Sequence, residues 1–363
     1  MIYVWYILIS YIIFSISSVI SVIYYKNSRK RKDKRQLLLA NEWKKYIGYV
    51  IDAKAIKNLK MDKKNYGKLY SGEQLMAFFT ASQEYLYSEQ PEVKNRFRQF
   101  IRQNKQVWVK IGHTYKKREL IKKAYFSFLC EQFYINEPEE YDSMTELMLD
   151  YVISPSIYCR ENALKALYAF GNKDAVIEVF KKLSDSNIQH NNKLVTDGLL
   201  QFRGSKEELA LGLYNDFDKF SLEYQVAFID FFRFAGEELK YELKELLIKK
   251  DANKELVCSL LRYYKKYPVQ EYKHIILSWL NPAITDDWEC ISSAASALGK
   301  YQGEDTVNAL KSALSSKYWY VRLNAAQSLS ELDIGNDMLL DVLNGDDRYA
   351  KEQLVYQLNR IKG

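Results

Sequence analysis

The chain has 363 residues, 48% hydrophobic and 27% charged, with 14 Gly, 5 Pro, 30 Tyr and 17 Phe. So little Gly and Pro excludes a turn-rich sandwich or propeller, and so many aromatics exclude a disordered tail protein. The net charge of +7 hides three regions: residues 26–35 hold seven Lys/Arg against one acid, 36–123 hold 19 against 8, and 124–363 hold 27 against 37.

Ile2 to Tyr25 contains no charged residue. At a rise of ~1.5 Å per residue a helix of this length covers roughly 36 Å, enough to cross a hydrocarbon core of ~30 Å. Tyr3, Trp5 and Tyr6 at one end and Tyr24 and Tyr25 at the other suit the two interfaces. A cleaved leader would show a basic start and a small-residue cleavage site, and neither is present. Ser10, Ser17 and Ser21 lie near one stripe and could let two such helices approach, although an anchor with no interface shows the same serines. The basic cluster Lys26, Arg29, Lys30, Arg31, Lys32, Lys34 and Arg35 follows at once. Basic residues stay in the cytoplasm, so the expected topology is single-pass in the cell membrane, N-terminus outside and the rest cytoplasmic. The cluster is also a candidate contact for anionic headgroups.

From Gln36 to Asn58, Leu39, Trp43, Ile47, Val50 and Ile51 recur at helical spacing, so the membrane helix can continue as one rod. Ser71 with Gln74 reads as a capping box for a helix ending near Tyr87, with Pro91 closing the next loop. Phe97, Phe100 and Ile101 define one face of the following helix. Beside them Lys94, Arg98, Arg102 and Lys105 form a basic stripe, a second candidate for the membrane surface; a solvated helix face is the plain alternative. Two more helices are expected over 116–135 and 139–153, the latter entered through Glu137, Pro138, Glu139 and Glu140.

From Pro155 the chain repeats. Arg160, Asn162 and Ala163 in one unit match Arg322, Asn324 and Ala325 in another, each leading into an Ala/Leu helix. A second helix follows each, starting at Asp174 after Gly171 and at Asp305 after Gly303. Weaker copies begin near Gln189, Leu222, Lys254, Trp288 and Arg348, so the period is close to that of helical hairpins, about 30–35 residues.

These residues, above all Trp319–Asp333 preceded by Val307–Leu314, resemble the HEAT family, and specifically the short bacterial HEAT-like repeats of the phycobilisome-lyase type. The resemblance is good over 285–333, fair over 155–183 and poor over 187–281, where the Arg is missing and aromatics replace Ala. It implies an all-α chain: a single transmembrane helix (1–25), a basic juxtamembrane segment (26–35), a helical membrane-proximal region (36–153) and an α-α superhelix, a HEAT-like solenoid, over 154–363. In such an array Arg160 and Arg322 would hydrogen-bond loop carbonyls or acids in the adjacent repeat, and the second helices would line the inner face. A HEAT-type repeat specifies shape and says little about activity.

The sequence presents no catalytic, metal or cofactor residues. His113, His190 and His274 are scattered, and Cys130, Cys159, Cys258 and Cys290 form no C-x-x-C, reading as reduced thiols within helices. The acidic pairs at 139–140, 286–287 and 346–347 precede expected helices and suit caps rather than acid–base work. Bilin lyases share the repeat type but have no need of a membrane span, and HEAT-like DNA glycosylases need a basic face that the acidic 124–363 region lacks. No nucleic acid is therefore expected. The reading that results is a non-enzymatic, membrane-tethered cytoplasmic adaptor that captures a protein partner, itself membrane-associated, in an envelope assembly. The alternatives are a module for anionic lipid surfaces and an enzyme, such as a lyase, with an unrecognised site. Oligomeric state is not encoded in any visible feature.

Overall fold

The computed structural model describes residues 2–52, 59–138, 140–249, 253–332 and 334–362. Every regular element among them is helical. The chain divides into two compact units, Met1–Ala166 and Leu167–Gly363, and the division falls inside a helix.

The first unit holds α1 (Ile2–Asp52), α2 (Lys63–Lys68), α3 (Gly72–Leu86), α4 (Pro91–Gln103), α5 (Lys105–Lys116), α6 (Leu120–Phe133), α7 (Ser143–Tyr151) and most of α8 (Ile157–Phe170). The expected rod exists: α1 is one helix of 51 residues. Its apolar side chains from Tyr3 to Tyr25 are exposed wherever they are described, whereas Ala40, Trp43, Ile47, Val50 and Ile51 are buried against the unit, mainly on α3. Among the described residues one helix is long and apolar enough to cross a membrane, and it is this one.

The core around α3 to α6 is aromatic. Trp43 meets Phe78 edge to face at 5.1 Å, Phe78 meets Trp108 at 5.6 Å, and Phe133 touches both Phe78 and Trp108. Phe97, Phe100 and Ile101 are fully buried, as their shared face predicts. Each such ring pair adds ~0.5–1.5 kcal/mol beyond the burial itself. Large rings here do the filling that small Ala and Leu do later in the chain, which is why no repeat can be registered in this region.

Several local expectations change. Ser71 is the N-cap of α3 but its hydroxyl makes no cap bond, and Gln74 instead accepts from the Trp43 indole at 2.9 Å. Pro91 ends the loop after α3 by opening α4, where its missing N–H costs nothing. The helix expected from 139 starts at Ser143, because Asp142 accepts from the Met144 and Thr145 amides and so caps it there; Glu139 lies outside the described residues. The stretch 116–135 is split between α5 and α6.

The second unit continues from the end of α8 with α9 (Lys173–Asp185), α10 (Asn192–Leu200), α11 (Lys206–Asn215), α12 (Leu222–Ala235), α13 (Lys244–Ile248) and α14 (Lys254–Lys266). It ends with α15 (Lys273–Ser278), α16 (Trp288–Leu298), α17 (Glu304–Leu314), α18 (Trp319–Glu331), α19 (Leu340–Leu343) and α20 (Arg348–Lys362). Four of the weaker copies read from sequence, at Leu222, Lys254, Trp288 and Arg348, begin a helix at that residue.

Within this unit the helices stack alternately. Each of α10, α12, α14, α16, α18 and α20 packs on the next of its kind, and α9 on α11, with α11, α13, α15, α17 and α19 each packed against the helix that follows in the chain. Short loops between consecutive helices make each pair a hairpin. Gly171 and Gly303 turn two of these corners at φ 74° and 137°, a region that favours glycine. Ala294, Ala295, Ala297, Ala325 and Ala326 are buried where α16 and α18 approach, and Leu298, Leu314 and Leu329 fill the space between layers.

Candidate functional site

The two matched units are the same down to individual hydrogen bonds. Arg160 Nη1 donates to the Ser154 carbonyl at 2.9 Å, and Arg322 Nη1 donates to the Ser316 carbonyl at 2.6 Å, in each case six residues back. Asn162 Nδ2 reaches the Ala124 carbonyl at 2.9 Å, and Asn324 Nδ2 reaches the Ser292 carbonyl at 3.2 Å and its hydroxyl at 2.7 Å. Ala163 and Ala325, the next residue in each motif, are fully buried. The Arg thus ties its helix to its own entry loop, and the Asn ties it to an earlier helix. These residues hold hairpins in register and leave ligand work to other side chains.

Polar contacts between successive hairpins repeat at similar sequence distances, 35 residues in three cases and 32 in the fourth. Lys173 pairs with Glu208 at 2.8 Å, Lys181 with Asp216 at 2.6 Å, Lys254 with Glu289 at 2.8 Å and Lys273 with Asp305 at 2.7 Å. Buried groups follow suit: Tyr224 Oη donates to the Ile188 carbonyl at 2.7 Å and Ser328 Oγ to that of Ala295 at 2.7 Å. Tyr224 gives its proton to Ile188, so it accepts from His190 Nδ1 at 2.9 Å, and the one buried histidine is a packing group.

The second unit carries a groove of about 580 Å³ on the layer of first helices. Its walls come from α10, α12, α14, α16 and α18, and a neighbouring hollow extends it between α10 and α12. The sequence reading lines the inner face with the second helices and leaves the binding face open; the groove lies on the layer of first helices. The first helices supply it because their Ser, Asn and charged positions cannot join the Ala/Leu packing. Part of the lining is already engaged: Lys254 pairs with Glu289, Lys265 donates to Ser296 Oγ at 2.9 Å, and Asn324 is held by Ser292. Part is not. Asp230 faces both hollows, and its buried Oδ1 has no hydrogen-bond partner. Arg262 is exposed on the groove wall and forms no ion pair with a described residue.

The basic candidates divide into two kinds. Lys26, Arg29, Lys30, Arg31, Lys32, Lys34 and Arg35 are all exposed on α1, and Arg35 pairs with Glu73 at 2.9 Å. The stripe at 94–105 is different. Asn104 ends α4, so Lys105 opens a new helix and the stripe is not one helical row. Asn104 is buried and clamps the corner, accepting from the Met61 amide at 2.7 Å and donating to the carbonyls of Leu59 at 2.8 Å and Phe100 at 2.7 Å. Lys105 is mostly buried and lies 2.6 Å from Glu140 and 2.5 Å from Asp142. Arg102 pairs with Glu137, and Arg98 lies over the Tyr134 ring at 5.1 Å. Of the four, Lys94 is the one with no such partner among the described residues. Arg98, Arg102 and Lys105 thus hold α4 and α5 to Tyr134, Glu137, Glu140 and Asp142.

Among the described residues no group of three or more His, Cys, Asp or Glu side chains is placed to hold a metal ion. The four cysteines are free and buried.

No protein-family model matches the chain, and no curated protein matches it. Among solved structures it is similar to human deoxyhypusine hydroxylase in complex with glycerol, at 16% identity and a TM-score of 0.28, over 82% of this chain and 95% of that one. The expectation of a non-enzyme is corrected here, because a solved structure similar to this chain is that of an enzyme. At this TM-score no reaction and no site are carried across.

Proposed function

We propose that the protein is a membrane-tethered adaptor: a HEAT-like solenoid that captures a partner protein in the groove along its first helices. The observation that carries this reading is the unsatisfied Asp230 carboxylate oxygen in a groove whose opposite charge, Arg262, is also uncommitted. A buried carboxylate oxygen without a partner costs about 1–3 kcal/mol, and a donor from a bound segment would recover it. The apolar part of α1 supports the tether, since its side chains are exposed and a bilayer would cover them. In this reading the N-terminus is outside and both compact units are cytoplasmic, which places the groove near partners that share the membrane and raises their effective concentration.

The test is photo-crosslinking in membranes from a probe at Arg262, compared with a probe at Leu211, exposed on the second helix α11. A discrete protein adduct from the groove position, absent from the α11 position and weakened by Asp230→Asn, supports the reading. Equal labelling from both positions, or none from either, sinks it.

A second reading has its own observation. Six of the seven basic side chains at 26–35 are exposed without an ion pair among the described residues, directly beside the apolar stretch. That collar suits anionic headgroups, at ~1 kcal/mol per basic residue near the surface.

A further inference from the structure

Two of the four cysteines meet behind the groove wall, one of them lining it. Cys258 on α14 and Cys290 on α16 lie with sulfurs 3.8 Å apart, and Cys258 forms part of the groove wall. They are 32 residues apart in sequence, one repeat, so the stacking of α14 on α16 brings them together. Cys290 also lies 3.7 Å from the Lys254 carbonyl. The other two cysteines differ: Cys130 touches the Met144 thioether at 3.9 Å and Cys159 the Tyr151 carbonyl at 3.7 Å, and neither lines the groove.

We propose that Cys258 is a peroxide-reactive thiol with Cys290 as its resolving partner, forming a reversible disulfide in the groove wall.

The surroundings favour this chemistry. The hydrogen bond between the two thiols is the main cause that lowers Cys258 to about 7; burial opposes it, Ser293 and Arg262 assist, and Glu289 counteracts. Cys290 is held above the ordinary thiol range by its hydrogen bond with Cys258, by burial and by the charge of Cys258, with Asp287 and Glu289 adding to it. Lys254 stands beside both carboxylates and offsets them. Cys258 is therefore the nucleophile and Cys290 the proton-bearing thiol. By contrast burial alone pushes Cys130 up and leaves it inert.

The reaction balances with hydrogen peroxide as the oxidant. The Cys258 thiolate attacks one peroxide oxygen and the O–O bond breaks; the sulfur becomes sulfenic acid, and the departing hydroxide takes a proton to leave as water. Cys290 then attacks the Cys258 sulfur, the S–O bond breaks, and the hydroxide that leaves takes the Cys290 proton. Overall two thiols and one peroxide give one disulfide and two waters. A bonded pair sits at about 2 Å, so side-chain rotation and a small approach of α14 to α16 must close the gap. A small thiol reductant reverses the bond by exchange. The inference does not depend on the groove holding a protein.

The experiment treats the reduced full-length chain with hydrogen peroxide and maps its cysteines by peptide mass spectrometry. A Cys258–Cys290 cross-linked peptide, lost on adding dithiothreitol, is expected. In Cys290→Ser, dimedone should label Cys258 at least tenfold more than Cys130 or Cys159. In the unmodified chain, iodoacetamide should alkylate Cys258 first. Dimedone labelling of Cys258 no greater than that of Cys130, or alkylation of the unmodified chain with no preference for Cys258, overturns the proposal even if a variant is poorly folded.

Discussion

Asn324 spends its amide on a neighbouring helix, and that choice shows what the repeat motif is for. Arg and Asn of the motif are legible in the sequence as recurring letters. Which neighbour each would bind is not, because it depends on a loop that doubles back over six residues. The Arg was expected on a loop carbonyl and is found there, in its own entry loop rather than across a hairpin boundary. The Asn bridges hairpins. Replacing Asn324 with Ala leaves the buried Ser292 groups short of a donor and should cost about 1–2 kcal/mol. Denaturant unfolding of the full chain measures this, and a change below a few tenths of a kcal/mol would remove the Asn from the register mechanism. Cys258 and Cys290 teach the same lesson from the other side. A search for C-x-x-C passes over them, whereas a search at one repeat length finds them.

At the scale of elements, the sequence puts Lys94, Arg98, Arg102 and Lys105 in one helical row, whereas the helix breaks between α4 and α5 before Lys105. The residue that divides them, Asn104, carries a weak signal in sequence, since Asn is only mildly disfavoured within helices. What decides the break is the 59–61 segment that it clamps, and no local pattern reports that contact. Changing Lys94, Arg98, Arg102 and Lys105 together to Gln should therefore lower the melting temperature of the detergent-solubilised chain, with no membrane present. An unchanged melting temperature together with lost liposome binding would return the stripe to the lipid surface. Asp142 sits at the same corner. Burial raises its carboxyl, but hydrogen bonds from Lys105, Asn136 and the Thr145 amide outweigh that and hold it below the ordinary value. A depressed carboxyl contributes stability above its unfolded pKa of about 4 and loses it as pH falls through the lower folded value. Acid unfolding of Asp142→Asn should therefore be flatter below pH 4 than that of the parent. At pH 7 the variant should be less stable by about 1 kcal/mol, the scale of a lost side-chain hydrogen bond to an ion pair. Parallel acid curves would dismiss Asp142 as the sensitive group.

For the molecule as a whole, the long apolar helix and the hairpin period were both legible, because each is a run or a rhythm. The aromatic core before residue 154 was not, since rings fill space without a period. The basic cluster at 26–35 predicts a cytoplasmic C-terminus; a reporter fused after Gly363 should be active inside, and labelling of Lys351→Cys by an impermeant maleimide on intact cells would reverse the topology. One feature of α1 then acquires a mechanical meaning. Helix runs without interruption from the apolar stretch to Asp52, and its last three turns are gripped by α3. From Tyr25 to the first ion pair at Arg35 the bare shaft is roughly 15 Å long at ~1.5 Å per residue. That exceeds the screening length of about 8 Å at physiological salt. With the apolar stretch in a bilayer, headgroup charge would act on the collar of basic residues and fade before reaching the body behind it. Torque would not fade. A helix without a hinge passes rotation and tilt along its axis, so a turn of the span within the lipid would turn the α3 face with it, as a drive shaft turns a wheel.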